Sequence, residues 1–112
     1  MNETFGKLLK EIRHEKNISQ RELALSVGVD YSYISKIEND RLPPPAAETI
    51  IKIADSLKVP PEILLANSGK VSNDLKDVIS NPEAIRFLNT VKQMNLSNAE
   101  WQSLQQQLKS LR

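Results

Sequence analysis

The chain has 112 residues, 39% of them hydrophobic and 26% charged, which fits one small globular domain with an appendage or one compact domain. Zero cysteines exclude disulfides and thiolate metal sites and suit a reducing cytoplasm, and a lone histidine cannot supply a transition-metal ligand set. No stretch approaches the roughly 18 apolar residues of a membrane span, and the net charge of +1 does not announce a nucleic-acid partner.

The opening run MNETFGKLLKEIRHEK is charged and amphipathic, so it reads as a helix rather than a secretory leader. A first helix is expected from Thr4 to Lys16, with Phe5, Leu8, Leu9 and Ile12 as its inward stripe. Asn17 ends it and Ile18 packs before the next cap. Ser19 and Glu22 have the spacing of a capping box, and Leu23, Ala24 and Val27 follow at helical intervals. Gly28 suits a backbone that turns through positive φ. Asp30 is placed to cap a short helix whose apolar side carries Val29, Ile34 and Ile37. Ala24 is small where a second helix crosses closely over the first.

The segment NDRLPPPAAE then stops that helix, since three prolines cannot continue it. A fourth helix is expected from Ala46 to Leu57 with Ile50, Ile51, Ile53, Ala54 and Leu57 inward, and a fifth from Pro61 to Leu65. Residues 67–73 are polar, contain the second half's only glycine, and read as a linker. Beyond them come a short amphipathic turn at Asp74–Ile79 and a helix from Pro82 to Met94, capped by Asn81. A last helix opens on a second capping box, Ser97 and Glu100, and reaches the C-terminus. Its Trp101, Leu104, Leu108 and Leu111 form a narrow seam of coiled-coil spacing. So short a helix is weak alone and must pack on its neighbour, on a second copy, or on both. Phe87, Leu88 and Val91 add to the apolar surface available for such a dimer contact.

Gln20, Leu23-Ala24, Gly28-Val29 and the run Tyr33-Ile34-Ser35-Lys36-Ile37-Glu38 together resemble the helix-turn-helix of the lambda repressor/Cro (XRE) family. Arg13 upstream and the segments Ile50–Leu57 and Pro61–Leu65 extend the likeness over residues 3–66. It implies an all-α protein: a five-helix lambda-repressor-like DNA-binding domain at 1–66, the linker at 67–73 and a C-terminal helical dimerisation module at 74–112. It also implies that the helix from Asp30 to Glu38 enters the major groove of double-stranded DNA. Tyr31, Ser32 and Lys36 then face the bases, Lys36 donating to guanine and Ser32 to several bases. Tyr31 either meets a thymine methyl or a phosphate, or packs on the protein's own surface. Gln20 holds a backbone phosphate, Arg21 adds to the local cluster of donors, and Tyr33, Ser35, Asn39 and Arg41 touch phosphate or sugar. Asp30 serves the helix as a cap, the alternative being to accept from a cytosine N4 amine. Arg13 and Glu38 form an internal, partly buried ion pair that fixes the angle of the reading helix.

The charge distribution pulls the other way: residues 1–66 hold nine Lys and Arg against ten Asp and Glu. Phosphate affinity must therefore come from local donors rather than overall charge. The tail is loosely similar to that of DNA-damage-response repressors paired with ImmA/IrrE-type metallopeptidases, through Leu75-Lys76-Asp77-Val78-Ile79-Ser80-Asn81-Pro82 and Glu100-Trp101. Those repressors carry a basic stretch where this chain has Lys92-Gln93-Met94-Asn95-Leu96. Biofilm regulators of the SinR type, antagonised by a partner protein that takes over the tail, share the two-module layout.

The leading reading is a dimeric, sequence-specific repressor acting at a palindromic operator in the bacterial cytoplasm, associated with the nucleoid. The alternatives are an antitoxin or restriction–modification controller, and a protein-interaction adaptor that no longer reads DNA. An enzyme is not expected: His14 is the lone histidine, on a charged helix, and no phosphate loop, nucleophile arrangement or cofactor motif stands out.

Overall fold

The computed structural model describes residues 3–112. They form eight helices, with no strand among the described residues. These are α1 (Phe5–Glu15), α2 (Gln20–Val27), α3 (Tyr31–Glu38), α4 (Ala47–Leu57), α5 (Pro61–Ser68), α6 (Asn73–Ile79), α7 (Pro82–Met94) and α8 (Asn98–Lys109). The all-α class is the expected one. The chain divides into two compact units, Met1–Asn73 and Asp74–Arg112. No helix among the described residues is long and apolar enough to cross a membrane.

In the first unit several helix ends carry a local chemical signal. The Thr4 side chain accepts from the Lys7 amide at 3.1 Å and starts α1. Ser19 and Glu22 close a reciprocal capping box, each backbone N–H donating to the other's side chain at 3.1 Å. The Ser19 N–H, and then its hydroxyl, hold the Glu22 carboxyl below the usual value of 4.5. Gly28 ends α2 at φ 86°, in the left-handed region that glycine enters without steric cost. The expectation for Asp30 needs correcting. It occupies the cap position of α3, but its carboxylate makes no capping bond. The first turn is closed by its carbonyl, which accepts from Tyr33 at 3.0 Å, while Ile34 is pinned in the core.

α5 runs to Ser68, three residues past its expected end and into the stretch read as a linker. Polar composition does not stop a helix here; Gly69, at φ 69°, does. The core gathers one side of every helix in the unit: Phe5, Leu9 and Ile12; Leu23 and Ala24; Ile34 and Ile37; Ile50, Ile53, Ala54 and Leu57; and Leu64. Leu8, Val27 and Val29 pack half-buried against it. Ile51, expected inward, is only half-buried and lies outside this cluster, because Ile50, Ile53, Ala54 and Leu57 already fill the inward stripe.

Two contacts fix α3 against α1. Arg13 and Glu38 are both buried, at 6% and 5% exposure, deeper than a partly buried pair. Arg13 grips the carboxylate with two donors: Nε donates to Oε2 at 2.7 Å and Nη2 to Oε1 at 2.9 Å. Its Nη1 donates to the Ile18 carbonyl at 3.0 Å, and Gln20 Nε2 donates to Glu38 Oε1 at 2.9 Å. One carboxylate thus ties α1, α2 and α3 together. Among the described residues no buried side-chain nitrogen or oxygen lacks a partner. The second contact is at Gly6, where a Cβ would press on the Ile37 carbonyl and stand 2.7 Å from Asp40 Oδ1 and 2.9 Å from the Glu38 carbonyl. Asp40, itself left-handed at φ 59°, accepts a bond from the Thr4 hydroxyl at 3.0 Å.

The second unit is built differently. Asn81 caps α7 by accepting from the Glu83 amide at 2.8 Å, and Asn95 ends it at φ 51°. Ser97 and Glu100 form the expected capping box, and α8 closes at Lys109 rather than at the C-terminus. No residue of α6, α7 or α8 is buried.

Gly6→Ala is expected to destabilise the protein by about 1–3 kcal/mol through overpacking against α3, read as a lowered urea midpoint at unchanged slope. Arg13→Ala is expected to cost about 3–5 kcal/mol, because it strands a buried carboxylate, whereas the paired replacement Arg13→Met with Glu38→Leu recovers most of that loss. Equal costs for the single and double variants in the same titration would contradict the picture of a desolvated pair.

Candidate nucleic-acid interface

α3 has two unlike sides. Ile34, Ile37 and Glu38 are buried, which leaves Ser32 and Lys36 exposed on the opposite face and Tyr31 exposed at the flank of the helix. With only eight residues, α3 has little stability of its own, so its orientation comes from the core and from the Glu38 node. Lys36 is four residues beyond Ser32, one turn along the same strip. Serine offers a hydroxyl donor and acceptor and lysine three N–H donors, chemistry suited to base edges.

The surrounding residues divide into committed and uncommitted groups. Gln20 stands at the first position of α2, yet its amide is engaged with Glu38. Asn39 is similarly occupied: Nδ2 donates to the Ser35 carbonyl at 2.9 Å and closes the C-terminal end of α3. Tyr33 is half-buried and packs against the core, and Ser35 is half-buried beside Asn39. Arg41 is exposed just beyond α3, its amide donating to the Lys36 carbonyl at 2.8 Å. Among the described residues the ion pairs are Arg13–Glu38 and Arg86–Glu83, so Arg21, Lys36 and Arg41 keep charges available to an external anion.

Two features of the site escape sequence reading. The inward turn of the Gln20 amide depends on where α3 ends, which spacing does not give. The guanidinium of Arg21 lies 4.5 Å from the centre of the Tyr31 ring, a cation–π stack between the first turns of α2 and α3. Ten residues separate the two positions, and only the angle between the helices brings them together.

In the second unit Phe87, Leu88, Trp101, Leu108 and Leu111 are exposed, while Val91 and Leu104 are half-buried. Phe87, Trp101, Leu104, Leu108 and Leu111 line one open groove of about 700 Å³ between α7 and α8. Five of the seven residues expected to pair subunits thus share one groove within this unit, while Leu88 and Val91 lie outside its lining.

Residues 6–70 match the model of a helix-turn-helix domain family. Two relatives from Bacillus subtilis (strain 168) are similar over part of the chain. The HTH-type transcriptional regulator RghRB is 40% identical over 67 residues, 60% of this chain and 48% of its own length. The HTH-type transcriptional repressor RghR is 38% identical over 69 residues, 62% of this chain and 51% of its own. The chain thus spans about half the length of these curated relatives. Among solved structures, the master regulator for biofilm formation SinR, in complex with DNA, is 35% identical with a TM-score of 0.52, covering 55% of this chain and 98% of that one. A SinR–SinI complex is 25% identical with a TM-score of 0.53 and covers 95% of both chains. These regulators are DNA-binding proteins rather than enzymes, and the match takes in every helix from α1 to α5. The chain belongs to the XRE-type helix-turn-helix family of transcriptional regulators.

Proposed function

We propose that the protein is a sequence-specific transcriptional repressor that reads a palindromic operator as a dimer, with α3 in the major groove. The observation that carries this reading is the two-sided α3: Ile34, Ile37 and Glu38 lock it to the core, and Ser32 and Lys36 stand exposed on its outer face, with Tyr31 at its edge. Lys36 and Ser32 meet base edges. Arg21 and Arg41 neutralise phosphates, which compensates locally for the lack of a net positive charge in the first unit. Gln20 contributes by holding Glu38, and its backbone amide at the start of α2 remains the group suited to a phosphate. The protein acts in the bacterial cytoplasm, at the nucleoid, where such operators lie.

A single reading helix spans only a few base pairs, so a second copy is needed for an operator of useful length. The apolar surface of α7 and α8 is the proposed pairing face. Neither helix buries a residue within its own unit, and both present large apolar side chains. SinR, similar across nearly the whole chain, is solved as a complex with the protein SinI, which supports a protein–protein role for the tail. A regulatory protein seated on the same face, an antagonist or a metallopeptidase, would compete with the second copy.

Selection of bound duplexes from a random pool by the full chain tests the reading. It is expected to enrich a palindrome with half-site centres about 34 Å apart or a multiple of that. Lys36→Ala is expected to weaken the selected operator by about 1–3 kcal/mol and to relax preference at one position per half-site, with the thermal melt unchanged. No enrichment, or unaltered affinity in the variant, would favour an adaptor. Paired Leu108→Glu and Leu111→Glu changes are expected to shift the protein to monomer in sedimentation velocity and to lower operator affinity; an unchanged dimer would move the pairing face to the first unit.

A further inference from the structure

The stack of Arg21 on Tyr31 has a function that the reading of α3 alone does not supply. Arg21 is the second residue of α2, where a cation faces the positive end of the helix dipole. That position is electrostatically unfavourable, and among the described residues no carboxylate pairs with Arg21 to offset it. The Tyr31 ring does so instead, with the guanidinium 4.5 Å from its centroid. Tyr31 is the first residue of α3 and is 44% exposed, and Arg21 is itself exposed, so the guanidinium over the ring remains accessible from solvent. Attraction to the ring uses the cation's charge, and no carboxylate takes the N–H donors in an ion pair, so the guanidinium can grip a phosphate with two parallel bonds.

We infer that Tyr31 is a positioning residue: its ring holds Arg21 in a pre-set pose to clamp a backbone phosphate at the edge of the half-site, and it contributes to binding through Arg21 rather than through a base. The inference rests on the DNA-binding reading and refines it. Rotamer freedom of a long side chain is costly to remove on binding, and a stack made before DNA arrives removes part of that cost in advance. Two consequences separate this role from direct base contact. The benefit of the ring depends on Arg21 being present, and it is indifferent to the base pair opposite α3.

A double-mutant cycle on the selected operator tests it, with the salt dependence measured for each protein. Arg21→Ala is expected to reduce the slope of log affinity against log salt by about one per half-site. Tyr31→Ala is expected to weaken binding roughly two- to fivefold in the wild-type background, with no change in base preference, and to have no effect once Arg21 is alanine. Tyr31→Phe keeps the ring and is expected to bind as the wild type does. In the free protein, the Arg21 side-chain protons are expected to show upfield ring-current shifts that vanish in Tyr31→Ala, a readout independent of DNA. Additive costs, altered preference at one base pair in Tyr31→Ala, or a large loss in Tyr31→Phe would overturn the inference and return Tyr31 to direct readout. A wild-type protein that retains no duplex at low salt would overturn the DNA-binding reading itself, which the ring-current shifts do not address.

Discussion

The buried carboxylate of Glu38 is the constraint on which the interface depends. A helix of eight residues has no inherent reason to stand at a defined angle, and apolar packing alone is non-directional. Glu38 is the last residue of that helix, and Arg13 and Gln20 approach it from two other helices with fixed hydrogen-bond geometry. Directional bonds in a desolvated setting thus convert a greasy contact into an orientation. Such a pair adds little net stability over a well-packed apolar alternative. Its value here is angular: it sets which way Ser32 and Lys36 face. The glycine at position 6 serves the same end by letting the backbones of α1 and the α3 exit meet without a side chain between them.

Much of this was legible in the sequence because the signals are local. Capping boxes at Ser19/Glu22 and Ser97/Glu100, glycine at the end of α2, prolines that forbid continuation, and apolar spacing all act within one helical turn, so spacing alone reveals them. The misreadings have a common source. The end of α5 was placed by polar composition, whereas a polar residue merely tolerates helix and Gly69 terminates it. Asp30 looked like a cap by residue type, but the closing bond comes from its carbonyl, which every residue possesses.

The site was legible in its membership and less so in its connections. The family resemblance supplies Tyr31, Ser32 and Lys36 together, while the helical repeat by itself puts only Ser32 and Lys36, four residues apart, on one strip. Neither could say that the Gln20 amide points inward or that Arg21 lies over Tyr31, because both depend on the angle between two helices across a turn. Those links decide which donors are free for DNA and which are spent on architecture. The same distinction accounts for a near-neutral domain in a DNA-binding family: what matters is the handful of cations left unpaired at one edge.

The bond from Thr4 to Asp40 joins the residue just ahead of α1 to the exit of α3. Anything fused ahead of α1, such as a purification handle, therefore emerges beside the far end of the reading helix. A bulky or charged leader would crowd the exit of α3 or strain the Gly6 contact. For this molecule the choice of where to attach an affinity handle is thus a perturbation of the binding surface itself.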